Sequence, residues 1–287
     1  MERQEGLKVL GGVVTYNPEI SRLKDNLSTL VDQVDKLYVF DNGSNNITDI
    51  EKILNKISAD VVLYKKETNM GIAYALNSIM NYAHKNNFDW VLSVDQDSVL
   101  DPNLVNKYKH VIVDYKNDDI GMLTCLIKDR NFQDKSVEIQ DEDIKEVPIC
   151  ITSAALTNVK NYFLTIGYDP RLFIDLVDTD ICLTLREKGF KIYRVNYLGV
   201  YHEIGHGENK KILWKEVIVH HPSIFREYYM SRNPIILHRK HPQLYGYKTM
   251  MNGLILNFLI ISFFEKDKRK RLSKYFKGIK DSKKFKN

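Results

Sequence analysis

Two short acidic runs stand out in this chain of 287 residues. Asp95-Gln96-Asp97-Ser98 follows an apolar run from Trp90 to Val94. Carboxylates at i and i+2 of an extended chain point the same way. Like charges beside a buried strand are costly unless a cation or a hydrogen-bond network offsets them. Hard oxygen ligands suit Mg²⁺ or Mn²⁺, and Mg²⁺ typically takes one or two carboxylates together with substrate phosphates. The same aspartates also fit a loop that caps the helix after Pro102. Asp175, Asp178 and Asp180 form the second run, beside the apolar Phe173-Ile174. A carboxylate near a desolvated pocket suits a general base, although Asp is equally favoured in the first turn of a helix. His202 closes an apolar run from Lys191 to Tyr201, a position that fits a metal ligand facing the Asp-x-Asp. In His202-Glu-Ile-Gly-His206 the Gly and the preceding strand disfavour the helix that a zinc protease needs. Arg226, Tyr228, Tyr229, Arg232 and Asn233 precede Pro234. Arg forks match diphosphate oxygens, and the spacing fits a solvated basic helix face as well.

The elements that must position these groups alternate along the first half. Lys8 to Tyr16 is a β-branched run ending at Asn17-Pro18 and reads as a strand. A helical pattern follows through Leu23, Leu27, Leu30 and Val34. Lys36 to Phe40 is a short strand before the turn signal Asp41-Asn-Gly-Ser44, and Ala59 to Tyr64 is a third strand. Apolar residues from Ile72 to Ala83 recur at helical spacing, and Trp90 to Val94 is a fourth strand. Such alternation implies a mostly parallel sheet with helices on both faces, with ligands bound at the carboxyl ends of the strands. Thr15-Tyr16-Asn17, Asp41-Asn42, Asp95 to Ser98 and His202 all fall at such ends. Taken singly, Asp41-Asn-Gly-Ser is equally a plain turn and Tyr16 a packed aromatic. Ile120 to Ile127 reads as a strand, Lys128 to Glu146 as a loop or excursion, and Asp178 to Lys188 as a helix stopped by Gly189. No repeat or low-complexity linker divides the chain, which favours one catalytic body.

The net charge of +5 is unevenly spread. Eleven of the 42 Lys and Arg, but only three of the 37 Asp and Glu, lie between Glu265 and Asn287, leaving a body with 31 basic and 34 acidic residues. A body without a basic excess argues against nucleic acid as its partner, whereas a basic tail suits an anionic membrane surface. Met250 to Phe264 is apolar but short for a membrane span and interrupted by Asn252, Gly253 and Asn257. It fits an interfacial helix, or a buried helix packed on the body or on a second subunit of a homodimer. Cys125, Cys150 and Cys182 show no redox or metal spacing and read as reduced thiols of a cytoplasmic protein. No apolar leader follows Met1.

The order Val13-Val-Thr-Tyr-Asn-Pro18, Asp41-Asn-Gly-Ser44, Asn69-Met-Gly-Ile-Ala-Tyr-Ala-Leu-Asn77, Asp95-Gln-Asp-Ser98 and Val177-Asp-Thr-Asp-Ile-Cys-Leu-Thr-Leu-Arg186 resembles family 2 glycosyltransferases of the GT-A fold. Asp95 to Ser98, Phe173-Ile-Asp175, His202 to Gly205 and His221 to Asn233 resemble, more narrowly, bacterial rhamnosyltransferases of surface-polysaccharide synthesis. The resemblance runs from about Val9 to Asn233. It implies a catalytic domain over residues 1–233, with a mixed, mostly parallel sheet flanked by helices, and a helical basic extension over 234–287. It further implies that Thr15, Tyr16, Asn17 and Asp41 hold a nucleoside, that Asn69 and Gly71 lie along ribose and phosphates, and that Asp95 contacts ribose or sugar. Asp97 and His202 would ligate Mg²⁺ or Mn²⁺, Asp178 would be the catalytic base with Asp180 supporting it, and Arg232 would approach the leaving diphosphate. The family often has Gly where this chain has Ala154 and Glu where it has Val177, both on the acceptor side.

The implied reaction is inverting transfer of a sugar, rhamnose from a dTDP donor, to a hydroxyl of a lipid-linked surface polysaccharide, at the inner face of the cell membrane. A UDP-dependent galactosyl- or galactofuranosyltransferase of the same fold is the alternative. A sugar nucleotidyltransferase would need a Gly-rich, basic loop after the first strand, which is missing here. A non-catalytic sugar-nucleotide-binding protein would not need both Asp97 and Asp178.

Overall fold

The computed structural model describes residues 6–57, 60–115, 117–129, 144–202, 208–212 and 215–285. In chain order the first half comprises β1 (Val9–Thr15), α1 (Ile20–Leu30), β2 (Lys36–Asp41), α2 (Ile47–Leu54), β3 (Val61–Lys65), α3 (Ile72–Lys85), β4 (Trp90–Asp95), β5 (Val99–Leu100) and α4 (Leu104–Tyr115). The second half comprises β6 (Ile120–Asp129), β7 (Ile144–Glu146), β8 (Ala155–Asn158), α5 (Val159–Phe163), α6 (Val177–Glu187), β9 (Lys191–His202), β10 (Glu208–Ile212), β11 (Lys215–Val219), α7 (Ile224–Lys240), α8 (Tyr247–Phe263) and α9 (Lys268–Asp281).

The large sheet has the order β3-β2-β1-β4-β8-β6-β9-β5, with β7 also on β9; β10 and β11 form a separate hairpin. Strands β3, β2, β1 and β4 are parallel, β8 runs against both β4 and β6, and β6 is parallel to β9. This is the expected α/β sheet, parallel in its first half and mixed in its second. Alternation with period two explains the layering. Val9 and Val13, Leu37 and Val39, and Trp90, Leu92 and Val94 face one core, with Leu23, Leu27, Leu30, Ile50, Leu104 and Tyr108 from α1, α2 and α4. Leu10, Tyr38, Phe40 and Val91 face the other, with Ile79 and Met80 of α3 and Ile181, Cys182 and Leu185 of α6. Burial on both faces is why these strands read as nearly continuous apolar runs.

Elements β7 and α7 are among those that depart from the sequence reading. The segment read as an excursion begins with the end of β6 and ends in β7, which pairs antiparallel with β9; residues 130–143 lie outside the described residues. A three-residue strand has too short a pattern to be seen before its partner is known. Helix α7 runs unbroken through Pro234, so the chain has no break at 233/234. Beyond it, Met250, Leu254, Ile261 and Tyr275 make a small third core between α8 and α9. Among the described residues, no helix is long and apolar enough to cross a membrane.

Candidate active site

Register gathers the polar strand ends. Thr15 pairs with Asp41 across β1 and β2, and Val14 with Asp95 across β1 and β4, so three strand ends share one edge. The Asp41 carboxylate accepts from Thr15 Oγ1 at 3.0 Å, from Gly43 N–H at 3.1 Å and from Ser44 N–H at 3.0 Å, and it is fully buried. About four lone-pair sites exist on an ionised carboxylate, so little acceptor capacity is left. Thr15 and Asp41 thus lock the two loops to each other. Asn17, in a left-handed conformation, donates its N–H to Ser44 Oγ at 2.8 Å and accepts from Asn45 N–H at 2.8 Å. Tyr16 leaves its ring 48 % exposed while its N–H donates to Gln96 Oε1 at 2.8 Å, tying this loop to the Asp-x-Asp segment.

Asn69 Oδ1 accepts from Gly71 N–H at 2.9 Å, which turns the chain into α3. Gly71 has φ of +88°, and an added Cβ would sit 2.7 Å from the Phe173 carbonyl oxygen. Only glycine therefore lets this loop lie against Phe173, where Ile72 N–H donates to the Phe173 carbonyl at 2.7 Å.

Asp95 and Asp97 are half-buried at the end of β4. Asp95 N–H donates to Ser153 Oγ at 3.1 Å, and its carbonyl accepts from Asn26 Nδ2 at 2.9 Å. Asn26 and Ser153 were not singled out in the sequence. A polar residue on the buried stripe Leu23, Leu27, Leu30 of α1 was the available signal for Asn26. Strand β5 pairs antiparallel with β9, Val99 opposite Tyr201, so the chain of β9 reaches His202 beside the Asp95–Ser98 turn. The side chain of His202 lies outside the described residues. Among the described residues, no three His, Cys, Asp or Glu side chains converge as a ready-made metal cage. The two carboxylates of the Asp95–Asp97 turn are hard oxygen donors of the kind that Mg²⁺ or Mn²⁺ takes together with phosphate oxygens.

The second acidic run opens α6 and its three side chains diverge. Asp178 is half-buried in the first turn and accepts from its neighbour Thr179 N–H at 2.8 Å. Burial pushes its carboxyl pKa up, and the charge of Asp175 adds to the rise, against the lowering by backbone N–H donors. Cys182, one turn on, brings its Sγ to 3.9 Å from that of Cys150. Asp175 is bound by the guanidinium of Arg226, through Nε at 3.3 Å and through Nη2. Asp180 corrects the expectation of a second catalytic carboxylate. It is completely buried, bound by Lys240 Nζ at 2.7 Å to both oxygens and 3.0 Å from His241 Nε2. Residues i and i+2 of a helix lie on nearly opposite sides, so Asp180 anchors α6 to α7 while Asp178 lies on the other side of the helix.

Arg232 is the second correction. Its guanidinium is buried, stacked among Tyr228, Tyr229 and Phe285, and donates to the carbonyls of Arg171 and Leu172 and to Asn233 Oδ1. It is not placed to meet a diphosphate. Asn233 Nδ2 in turn donates to the carbonyls of Leu172 at 3.0 Å, Ile174 at 2.7 Å and Asp175 at 2.8 Å. The loop so held carries Phe173, Asp175 and Leu176 at φ of 65°, 66° and 63°, a left-handed region costly for non-glycine residues. Arg232 and Asn233 therefore fix the loop that delivers Asp178. Their role was invisible in sequence because a carbonyl clamp and a phosphate fork use the same residue types.

Residues 12–162, more than half of the chain, match the family model described as glycosyl transferase family 2. The chain belongs to this family. The glycosyltransferase is also 28 % identical over 289 residues to a dTDP-rhamnosyl transferase, RfbF, of Shigella flexneri, covering 94 % of this chain and 93 % of that protein. Among solved structures it resembles S. aureus TarS 1-349, with a TM-score of 0.57, 14 % identity, and coverage of 96 % of this chain and 80 % of that one. TarS 1-349 in complex with UDP-GlcNAc gives a TM-score of 0.58 at 14 % identity, again over 96 % and 80 % of the two chains. The TarS likeness bears out the fold; the family match makes this chain a glycosyltransferase.

Proposed function

We propose that this glycosyltransferase moves rhamnose from dTDP-rhamnose, with inversion, to a hydroxyl of a lipid-linked surface glycan. The observation that carries the transfer reading is Asp178, a half-buried carboxylate in the first turn of α6, just after the loop held by Asn233. The likeness over nearly the full chain to a protein named dTDP-rhamnosyl transferase supports the donor.

Asp178 takes the proton from the acceptor hydroxyl as that oxygen attacks the anomeric carbon. One positioned base and no enzyme nucleophile give a single displacement with inversion; Asp175 is engaged by Arg226 and Asp180 by Lys240. Asp97 and His202 would hold Mg²⁺ or Mn²⁺, which when bound stabilises charge on the departing diphosphate. The loops locked by Thr15 and Asp41, with the exposed Tyr16 ring, flank the nucleoside.

The C-terminal helices support a seat on the cytoplasmic face of the membrane. Helix α8 is apolar on both sides. Met250, Leu254 and Ile261 face the small core they share with Tyr275 of α9, while Ile255, Leu256, Phe258 and Phe263 are exposed, and Phe276 of α9 continues this surface 6.2 Å from Phe258. A helix apolar all round is normally covered. The flanking Lys268, Arg269, Lys270, Lys274 and Lys277 complement anionic head groups. They oppose a two-fold contact, which would set like charges together.

Asp178→Asn should abolish transfer while leaving dTDP affinity intact; retained turnover would reject Asp178 as base. Because the base must be ionised and its folded pKa lies above 3.8, activity should fall away on acidification at a pH above the ordinary carboxylate value. The same sign makes the ionised form a cost to the fold. Its stability contribution declines as pH rises from 3.8 through the raised pKa, so the Asn variant should melt no lower than wild type at neutral pH. Asp97→Ala should erase the Mn²⁺-dependent part of dTDP binding measured by calorimetry; unchanged metal dependence would remove Asp97 from the metal site. In flotation with phosphatidylglycerol vesicles, the protein should associate at low salt and release at high salt, and Phe258→Asp with Phe276→Asp should abolish association. Association that ignores salt and both substitutions would rule out this seat.

A further inference from the structure

The loop that delivers Asp178 also builds an aromatic step. The Phe173 ring stacks on Tyr229, with centroids 5.1 Å apart and planes 16° apart. Phe225 meets Phe173 edge-on at 5.9 Å and Tyr229 at 5.0 Å. On its other side Phe173 abuts the loop that opens α3, since a Cβ on Gly71 would lie 2.7 Å from Phe173 Cδ2. The step therefore runs from the Gly71 loop outward to the first turns of α7. None of its three rings belongs to either core of the sheet, and Phe225 is 52 % exposed. Beside it sits the Arg226–Asp175 pair, whose Arg side chain is 45 % exposed. Asp175 is near enough to Asp178 for its charge to be felt there.

This surface includes left-handed backbone at Phe173 and Asp175, and strain of this kind clusters at functional sites. Ligand sites combine aromatic side chains with a small number of placed polar groups, and both kinds meet here. The flat π-face of Phe225 suits the C–H face of a pyranose. The ion pair offers donors and acceptors to ring hydroxyls. Because Asp175 neutralises Arg226, the pair has no net positive charge for a diphosphate, which favours a neutral sugar over the nucleotide donor.

We propose that this step is the acceptor subsite: a pyranose ring of the acceptor glycan lies on Phe225, with its hydroxyls read by Arg226 and Asp175, on the Asp178 side of the loop. This rests on the glycosyl-transfer reading above and adds to it the surface that recognises the acceptor. Phe225 takes no part in the chemistry, so its removal leaves the base and the nucleotide loops in place.

The test is saturation-transfer NMR on wild type, Phe225→Ala and Phe225→Trp, with n-octyl rhamnoside, galactoside and N-acetylglucosaminide as probes, in the presence of Mn²⁺ and whichever of dTDP and UDP binds more tightly. Calorimetry of that nucleotide is run on each variant. Wild type and Phe225→Trp should bind at least one pyranoside ring, Phe225→Ala should bind it roughly tenfold more weakly, and nucleotide affinity should be the same in all three. Equal pyranoside binding by wild type and Phe225→Ala, or none by wild type, with nucleotide binding intact, overturns the subsite alone. Failure of wild type to bind either nucleotide overturns the glycosyl-transfer reading, and the subsite falls with it.

Discussion

A six-residue stretch between Arg171 and Leu176 sets where Asp178 stands, and backbone carbonyls are what hold it. The carbonyls of Arg171, Leu172, Ile174 and Asp175 accept from Arg232 and Asn233, that of Phe173 from Ile72 N–H, and that of Leu176 from Asp180 N–H. Three residues of the stretch occupy left-handed backbone at a cost of order 1–3 kcal/mol each. A loop left to itself would relax from that geometry. Buried donors, each costly to leave unpaired, oppose the relaxation, because moving the loop would strand Asn233 and the Arg232 guanidinium.

The rest of the molecule serves this arrangement. Gly12 lets α3 lie close on β1, where any Cβ would fall 2.6 Å from Ile79 Cγ2, and α3 carries the Gly71 loop that caps Phe173. Asp180, Lys240 and His241 fasten α6 to α7, so Asp178 and the clamp belong to one packed unit. A buried ion pair adds little net stability, but breaking it leaves an uncompensated charge, which ties α6 to its place. Strand register sets Thr15, Asp41 and Asp95 on one edge, and Tyr16 N–H on Gln96 Oε1 links the loop after β1 to the Asp95–Ser98 turn.

Much of this was legible in the residues. The parallel strands were plain because burial on both faces demands unbroken apolar runs, and helix α3 because its apolar residues keep a 3.6 period. The placement of the Asp-x-Asp turn at a strand end and of Asp178 at a helix start was legible from type and setting. Strand β8 was not, since four residues carry too little pattern, and its reversal depends on partners β4 and β6 distant in sequence. Asp180 was misplaced by grouping it with Asp178 by proximity, when helical geometry sends the two to different sides. Arg232 was read as a phosphate ligand because nothing in a sequence says whether a guanidinium will meet phosphate or carbonyl oxygens. Asn233, whose amide reaches three carbonyls, could be recognised only once the loop opposite it was known.

The central claim, that the clamped loop rather than Asp178 alone makes the base effective, is tested most directly by the single-turnover transfer rate of Asn233→Ala at saturating substrates. Circular dichroism would confirm that the variant is folded, and nucleotide affinity would be measured alongside. Removing the amide should slow transfer by about a hundredfold, the scale of a small misplacement of a catalytic group, with nucleotide affinity within roughly threefold of wild type. A folded Asn233→Ala variant that transfers at the wild-type rate would contradict the account.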